Sequence, residues 1–402
     1  LIPEKIMHRD NQAALLAKKE SIVEILDRLC QQIEINDRQY EEAKERYEAV
    51  GSWLARSSSP YLNQAQIYPQ GSIALGTTIK PLTTAEFDVD LVCHLPTLKS
   101  APDARVIKAL IGDRLKENGT YKEMLEEKQR CWRINYANQF HLDITPSISN
   151  PRCHQGGELV PDKELKEWKP TNPKGYIGKF DYYAAMRPHF YLLEKSVLDT
   201  RADIAPIPEK TMSKPILKRI VQLLKRHRDK RFVNTAHSDL APVSVIITTL
   251  AGWAYAKCVA QPIYMDVFDF ITAVIREMPT FIHTETRARQ QHYIIENETT
   301  VGENFADKWN DDPRRAEAFY EWHKDVLASV ETLLQIEGID RIAESLSNKF
   351  GAQKEYVLSS IIEPIGKART SGVLAVAPTL GVVVSLANGR SIGVQKNTFF
   401  GN

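Results

Sequence analysis

Paired cysteines, a surplus of one charge and a long apolar run are all missing from this chain, and each absence removes a class of protein. The five cysteines, Cys30, Cys93, Cys131, Cys153 and Cys258, are an odd, scattered set with no CxxC spacing. They argue against a disulfide scaffold and fit a reduced, cytosolic setting. Lys plus Arg number 52 against 51 for Asp plus Glu. A protein that lives on DNA carries a basic surplus, so sequence-specific DNA binding is not expected. No run of about 18 apolar residues and no secretory leader is visible, so the expectation is a soluble, cytoplasmic protein without a membrane partner. There is no internal repeat. What remains is a chain of 402 residues, 43% of them hydrophobic, enough to bury cores in two or so lobes.

The densest chemistry lies in QGSIALGTTIKPLTTAEFDVDLVCHL, from Gln70 to Leu95, and in FHLDITPSI, from Phe140 to Ile148. In the first segment Glu86, Asp88 and Asp90 alternate with Phe87, Val89 and Leu91. On a strand with period two, the carboxylates share one face and the apolar residues the other. Two residues of strand span roughly 6.6 Å between Cα atoms, which lets Asp88 and Asp90 reach a shared pair of divalent ions. Asp143 adds a carboxylate from a second alternating strand. Phosphoryl chemistry uses this arrangement, because two metals about 3.5–4 Å apart clamp the attacking and leaving oxygens. Upstream, Gly71 and Ser72 form a turn that ends an apolar segment and opens a helix, where backbone amides can cradle a triphosphate. Acids on a strand face and a Gly-Ser turn are each ordinary; the signal is their company. His141 shares the strand face of Asp143 but is read as a structural polar residue.

These residues resemble the nucleotidyltransferase superfamily signature, a Gly-Ser followed by a [DE]-x-[DE] strand and a remote third Asp. More closely, and over most of the chain, they resemble the bacterial cyclic-oligonucleotide synthases called CD-NTases, relatives of cGAS and the oligoadenylate synthetases. Gly71, Ser72, Thr77, Lys80, Asp88 and Asp90 hold the family's motif places. Glu86 is ambiguous, since the cGAS pattern opens with Glu-Phe-Asp. Metal binding is assigned to Asp88 and Asp90, which lead directly into Leu91 and Val92, and Glu86 stands as a flanking candidate. The resemblance implies an α+β fold: a polymerase-β-like mixed-sheet lobe with N-terminal helices, and an α-helical second lobe like that of the oligoadenylate synthetases. It also implies two Mg²⁺ ions, with Mn²⁺ as a substitute, at Asp88, Asp90 and Asp143, and ATP and other NTPs as substrates. The zinc-binding insertion of cGAS has no counterpart, so no structural zinc is expected.

Hydrophobic spacing divides the chain into N-terminal helices over 1–60, a catalytic lobe over 61–200, a helical lobe over 201–370 and a flexible tail over 371–402. Ile22, Leu26, Leu29 and Ile33, then Tyr40, Ala43, Tyr47, Val50 and Leu54, mark two helices broken near Asn36 and Asp37. Short strands between Gln66 and Ser149 surround a helix near Pro102 to Asn118. From Asn150 to Lys179 the pattern reads as a long irregular loop, and beyond Ser213 everything reads as helix.

Within the helical lobe, Ser213 and Pro215 open a helix whose buried stripe is Ile216, Ile220, Leu223 and Leu224. Lys225 matches a family Lys that contacts nucleotide phosphates; the competing reading is a solvated basic face shared with Lys218, Arg219, Arg226 and Arg228. Ser244 matches a family Ser that also meets the phosphates, against an ordinary helix-start Ser. Trp168, Lys174 and Tyr176 resemble a family loop at the pocket mouth, either contacting nucleotide or anchoring that loop on the core.

The expected activity is therefore synthesis of a cyclic di- or trinucleotide second messenger from NTPs, which the resemblance sets in the antiphage systems known as CBASS. Asp88 and Asp90 bind both ions, Asp143 helps deprotonate the attacking ribose hydroxyl, and Gln70, Gly71 and Ser72 hold the donor triphosphate. Two other readings are a nucleotidyltransferase that modifies an RNA, protein or small molecule, and a catalytically silent nucleotide or RNA sensor. The sensor would be marked by a lost carboxylate, and all three are present. Some CD-NTases end in an aromatic pair and a small residue that a ubiquitin-ligase-like partner joins to a target. The end VQKNTFFGN, with Phe399, Phe400 and Gly401, is similar, although Asn402 lies one residue further and docking of the rings on the parent domain competes.

Overall fold

The computed structural model describes residues 2–82, 86–98, 102–137, 139–162, 164–190, 214–261, 264–287 and 289–359, with three short strands between 375 and 393. Helix α1 (Ile2–Ile33) and helix α2 (Asp37–Ala55) meet at Asn36, whose side chain caps α2 while Gln39 reaches back to its backbone. This reciprocal capping box explains the break at Asn36–Asp37. Next come β1 (Gln66–Gln70), the single turn α3 (Gly71–Ala74), β2 (Phe87–Leu95), α4 (Ala104–Lys116), α5 (Gly119–Met124), β3 (Leu125–Glu127), β4 (Trp132–Tyr136) and β5 (Phe140–Ser149).

The strands form a mixed sheet in the order β1-β2-β5-β4-β3, with β2 and β5 parallel and the other neighbouring pairs antiparallel. One face carries Phe87, Val89, Leu91, Trp132, Ile134, Phe140, Leu142 and Ile144 and packs on Val50 and Leu54 of α2 and Ile107 and Ile111 of α4. The mixed-sheet expectation and the alternation that led to it hold.

The irregular loop expected from Asn150 to Lys179 is a correction. β6 (Glu158–Pro161) pairs with the end of β5, β7 (Trp168–Thr171) pairs with β6, and α6 (Pro173–Ala185) follows, capped by Asn172. These strands are only four residues long and each carries a Pro, and their pairing comes from the sheet edge that β5 offers rather than from their own pattern.

The helical lobe contains α7 (Ile216–Phe232), α8 (Ser244–Val259), α9 (Val267–Glu277), α10 (Asp307–Asp311), α11 (Arg314–Thr332) and α12 (Ile339–Phe350). It is not wholly helical as expected: β8 (His283–Arg287) and β9 (Gln290–Ile294) form an antiparallel hairpin. Ser213 lies outside the described residues, and Pro215 stands at the N-cap of α7. The core of this lobe joins α7, α8, α9 and α11 to α1 and α6. The two N-terminal helices thus serve different cores, α1 the helical one and α2 the sheet.

Within the segment expected as a tail, the described residues are β10 (Ala375–Ala377), β11 (Gly381–Val383) and β12 (Ile392–Gly393), which pair antiparallel. Phe399, Phe400, Gly401 and Asn402 lie outside the described residues. All five cysteines are free thiols, and among the described residues no helix is long and apolar enough to cross a membrane.

Candidate active site

Strand register places each acidic candidate. Antiparallel pairing sets Gln70 opposite Asp90, parallel pairing sets Asp90 beside Asp143, and antiparallel pairing sets Asp143 opposite Arg133. Partners in register point to the same face. Gln70, Asp90, Asp143 and Arg133 therefore form one row across β1, β2, β5 and β4, with neighbouring strands about 4.8 Å apart. Asp88 is in register with His141 in the adjacent row.

Crowding of these acids has an electrostatic signature. Burial first, and then the charges of Asp143 and Asp88, push the Asp90 carboxyl up to about 6, against the opposing pull of Arg130 and Arg133. Gly71 meets Asp90 from the other side. Its φ is +65°, and a Cβ there would lie 2.6 Å from Asp90 Oδ2. A residue with a side chain would be strained and would displace the carboxylate, so only glycine lets the turn approach it. After the turn, the Thr77 amide donates to the Ser72 carbonyl at 2.9 Å and Thr78 Oγ1 donates to Ser72 Oγ at 3.2 Å, closing the segment on itself.

Arg133, which the sequence reading passed over, holds two of the acids. Its Nε donates to Asp143 Oδ1 at 2.6 Å, and its Nη2 donates to Asp143 Oδ2 at 2.8 Å and to Asp88 Oδ1 at 3.2 Å. Strand β4 reads WRINY, with Trp132, Ile134 and Tyr136 buried, so alternation alone sends Arg133 to the carboxylate face. His141 Nε2 lies 3.0 Å from Glu86 Oε2, which places the flanking candidate Glu86 on His141. The donor set of Asp88, Asp90 and Asp143 has the hard oxygen chemistry that Mg²⁺ takes, and burial together with the neighbouring acids raises the Asp90 carboxyl, a cost to its charged form that a cation would offset. Among the described residues, however, no three His, Cys, Asp or Glu side chains are already gathered around a point that would hold an ion.

Lys225 comes to this site from the other lobe. It is buried, and its Nζ donates to Thr77 Oγ1 at 2.9 Å and to the Thr77 carbonyl at 3.4 Å. Burial first, with the neighbouring Arg228 adding to it, brings this amine down to about 7 against the pull of Asp229 and Asp90. The solvated-face reading of α7 is a correction: Arg219 is buried between Asp27 at 2.7 Å and Glu34 at 2.8 Å, and Arg226 donates to the Lys80 carbonyl at 2.6 Å. Ser244 opens α8, and its Oγ accepts from Arg228 Nη1 at 3.3 Å, so it stands behind Arg228 and makes no contact with the acids. Trp168 Nε1 donates to the Pro102 carbonyl at 2.7 Å, and Tyr176 is packed against Phe305 with its hydroxyl 2.9 Å from Thr249 Oγ1. Both rings anchor their elements. Lys174 donates to Gln66 Oε1 at 3.0 Å and lies over the Tyr68 ring.

A mixed sheet with acids on neighbouring parallel strands beside a glycine turn, backed by a helical lobe, defines a nucleotidyltransferase. The family described as Second Messenger Oligonucleotide or Dinucleotide Synthetase domain matches residues 21–182. A c-di-GMP synthase of Roseivirga ehrenbergii is 30% identical over 387 residues, spanning 96% of this chain and 98% of the relative. The cyclic dinucleotide synthase CdnG of Bradyrhizobium diazoefficiens is 28% identical over 305 residues, spanning 71% of this chain and 69% of the relative. The structure of the B. diazoefficiens CdnG in complex with GTP superposes with a TM-score of 0.62 at 23% identity, covering 84% of this chain and 97% of that one. The chain belongs to the bacterial CD-NTase family, whose members are cyclic-oligonucleotide synthases.

Proposed function

We propose that this nucleotidyltransferase converts nucleoside triphosphates, GTP among them, into a cyclic dinucleotide, with Asp88, Asp90 and Asp143 holding two Mg²⁺ ions. The observation that carries the reading is the row in which Asp90 lies between Asp143 and the Gly71 turn. The choice of a guanine dinucleotide leans on the relative named c-di-GMP synthase. Bound Mg²⁺ would supply charge neutralisation at the triphosphate and acidify the attacking hydroxyl. The chain's own residues do the rest. Gln70, Gly71 and Ser72 orient the donor triphosphate, Lys225 supplies positive charge once protonated, Ser244 steadies Arg228 behind it, and Asp143 takes the proton of the ribose hydroxyl. The new bond joins that oxygen to the α-phosphorus as the bond to pyrophosphate breaks, and a second round on the linear intermediate closes the ring.

Cytoplasmic placement, supported by the five free thiols, and a role in antiphage defence of the CBASS type belong to the same proposal. Conjugation by a ubiquitin-ligase-like partner rests on the terminal residues alone and gains no support from the fold. Incubating the purified protein with Mg²⁺ and labelled NTPs, then treating with phosphatase, is expected to leave a resistant cyclic product containing guanine. Asp88→Asn together with Asp90→Asn should leave none. Label transferred to an RNA or a protein, or resistant product from the double variant near the wild-type rate, would refute the proposal.

A further inference from the structure

Arg133 engages both oxygens of Asp143 through a two-pronged pair and reaches Asp88 with the same Nη2, at 2.6, 2.8 and 3.2 Å. A guanidinium fork matches a carboxylate in both shape and charge, and it is among the stronger hydrogen-bonded pairs available to a protein. Its targets are two of the three carboxylates assigned to the ions. Three of the carboxylate oxygens assigned to the ions, both of Asp143 and Oδ1 of Asp88, are therefore already engaged by an internal cation. Arg133 is about one-fifth exposed and Asp88 about three-fifths, so their contact is open to solvent on one side.

We propose that Arg133 is a charge-swap residue: it competes with divalent ions for Asp88 and Asp143, and moves to the triphosphate of an incoming nucleotide when the ions take the carboxylates. A guanidinium and a divalent ion repel each other across a shared carboxylate, so an ion arriving alone must displace Arg133 into water. An ion arriving with a nucleotide gives Arg133 a new anionic partner. Metal and nucleotide should thus bind with positive coupling, and the coupling must be reciprocal. The inference rests on the assignment of the ions to Asp88, Asp90 and Asp143 made above.

The test measures Mn²⁺ binding by the electron paramagnetic resonance of the free ion, first without nucleotide and then with a GTP analogue bridged by methylene between its α- and β-phosphates. Without nucleotide, Arg133→Gln should bind Mn²⁺ roughly ten- to a hundredfold more tightly than the wild type. With the analogue, whose phosphates add ligands for the ion in either protein, Mn²⁺ affinity should rise in both, and it should rise by the larger factor in the wild type. Arg133→Lys, a charge without the fork, should fall between them. Mn²⁺ affinity equal to or weaker than wild type in both variants, with the melting temperature preserved, would overturn the charge swap. The Asp88→Asn, Asp90→Asn double variant separates the two failures. If it binds Mn²⁺ as well as the wild type, the ion assignment itself is wrong; if it loses Mn²⁺ while Arg133→Gln gains nothing, the assignment survives and the charge swap does not.

Discussion

Asp90→Asn should stabilise this protein while abolishing its activity. The carboxyl of Asp90 is raised from 3.8 to about 6, first by burial and then by Asp143 and Asp88. Each pH unit of displacement corresponds to about 1.4 kcal/mol, so keeping the group charged costs the folded chain about 3 kcal/mol. Asp90 retains some solvent access, and screening reduces this to about 1–2 kcal/mol. The sign follows from a folded value above the unfolded one. Above pH 6 the carboxyl is charged in both states and the full penalty is present; as pH falls from 6 towards 4 the folded chain takes up the extra proton and the penalty fades. Asn keeps the shape and removes the charge. Thermal melts in EDTA should therefore show Asp90→Asn more stable than wild type by about 1–3 °C at pH 7. The gap should shrink as the pH is lowered towards 4. A variant that melts at or below the wild-type temperature at pH 7, or a gap that does not depend on pH, would refute the electrostatic account of the row.

Two further changes probe the second lobe. Lys225, brought down to about 7 chiefly by burial, carries charge mainly below that pH, so nucleotide affinity should weaken as pH rises from 7 to 9; in isothermal titrations Lys225→Met should remove this slope and cost about tenfold in affinity at pH 6.5. Arg219→Leu takes a buried guanidinium away from Asp27 and Glu34. It should destabilise the fold by about 3–5 kcal/mol in urea titrations, and a loss below 1 kcal/mol would show that the α1–α7 contact does not depend on this charge.

Local pattern made much of the catalytic lobe legible. Alternation at Phe87–Leu95 and Phe140–Ser149 gave both central strands, and the Asn36 cap marked the helix break. What escaped depends on partners distant in sequence. ELVP is a strand because the end of β5 extends a free edge to it, and WKPT because ELVP then offers one in turn. Helix α6 hides behind Gly175 and Gly178, which lower its propensity, and is held by the Asn172 cap and by Phe180 in the core. HTETR and QQHYI pair with each other while carrying almost no apolar face. On α7, Arg219 and Arg226 have the composition of a solvated surface, yet α1 and the segment at Lys80 bring acids and a carbonyl to them. Arg133 lay within reach of the sequence as well, since the alternation of WRINY already assigns its face.

Gln70, Asp90, Asp143 and Arg133 can form a row only if four strands keep their register, and a buried polar layer further along the same face helps to fix it. Tyr68 on β1 is in register with Val92, and His94 on β2 with Ser147 on β5, so Tyr68, His94 and Ser147 share the carboxylate face. Glu158 on β6 ties them together. Tyr68 donates to its Oε1 at 2.6 Å, Ser147 donates to its Oε2 at 2.5 Å, and His94 Nδ1 lies 3.0 Å from Ser147 Oγ. Burial pushes the Glu158 carboxyl up, but its bonds to His94, Ser147 and Tyr68 outweigh it and hold the group below its ordinary value. An apolar layer would tolerate a two-residue slip of β1 along β2, because alternation survives it. Here that slip would carry the Tyr68 hydroxyl away from Glu158 and leave a buried charge short of a donor, a penalty an apolar layer does not impose. Since β1 runs straight into Gln70 and Gly71, the network that fixes β1 also fixes how closely the glycine turn approaches Asp90.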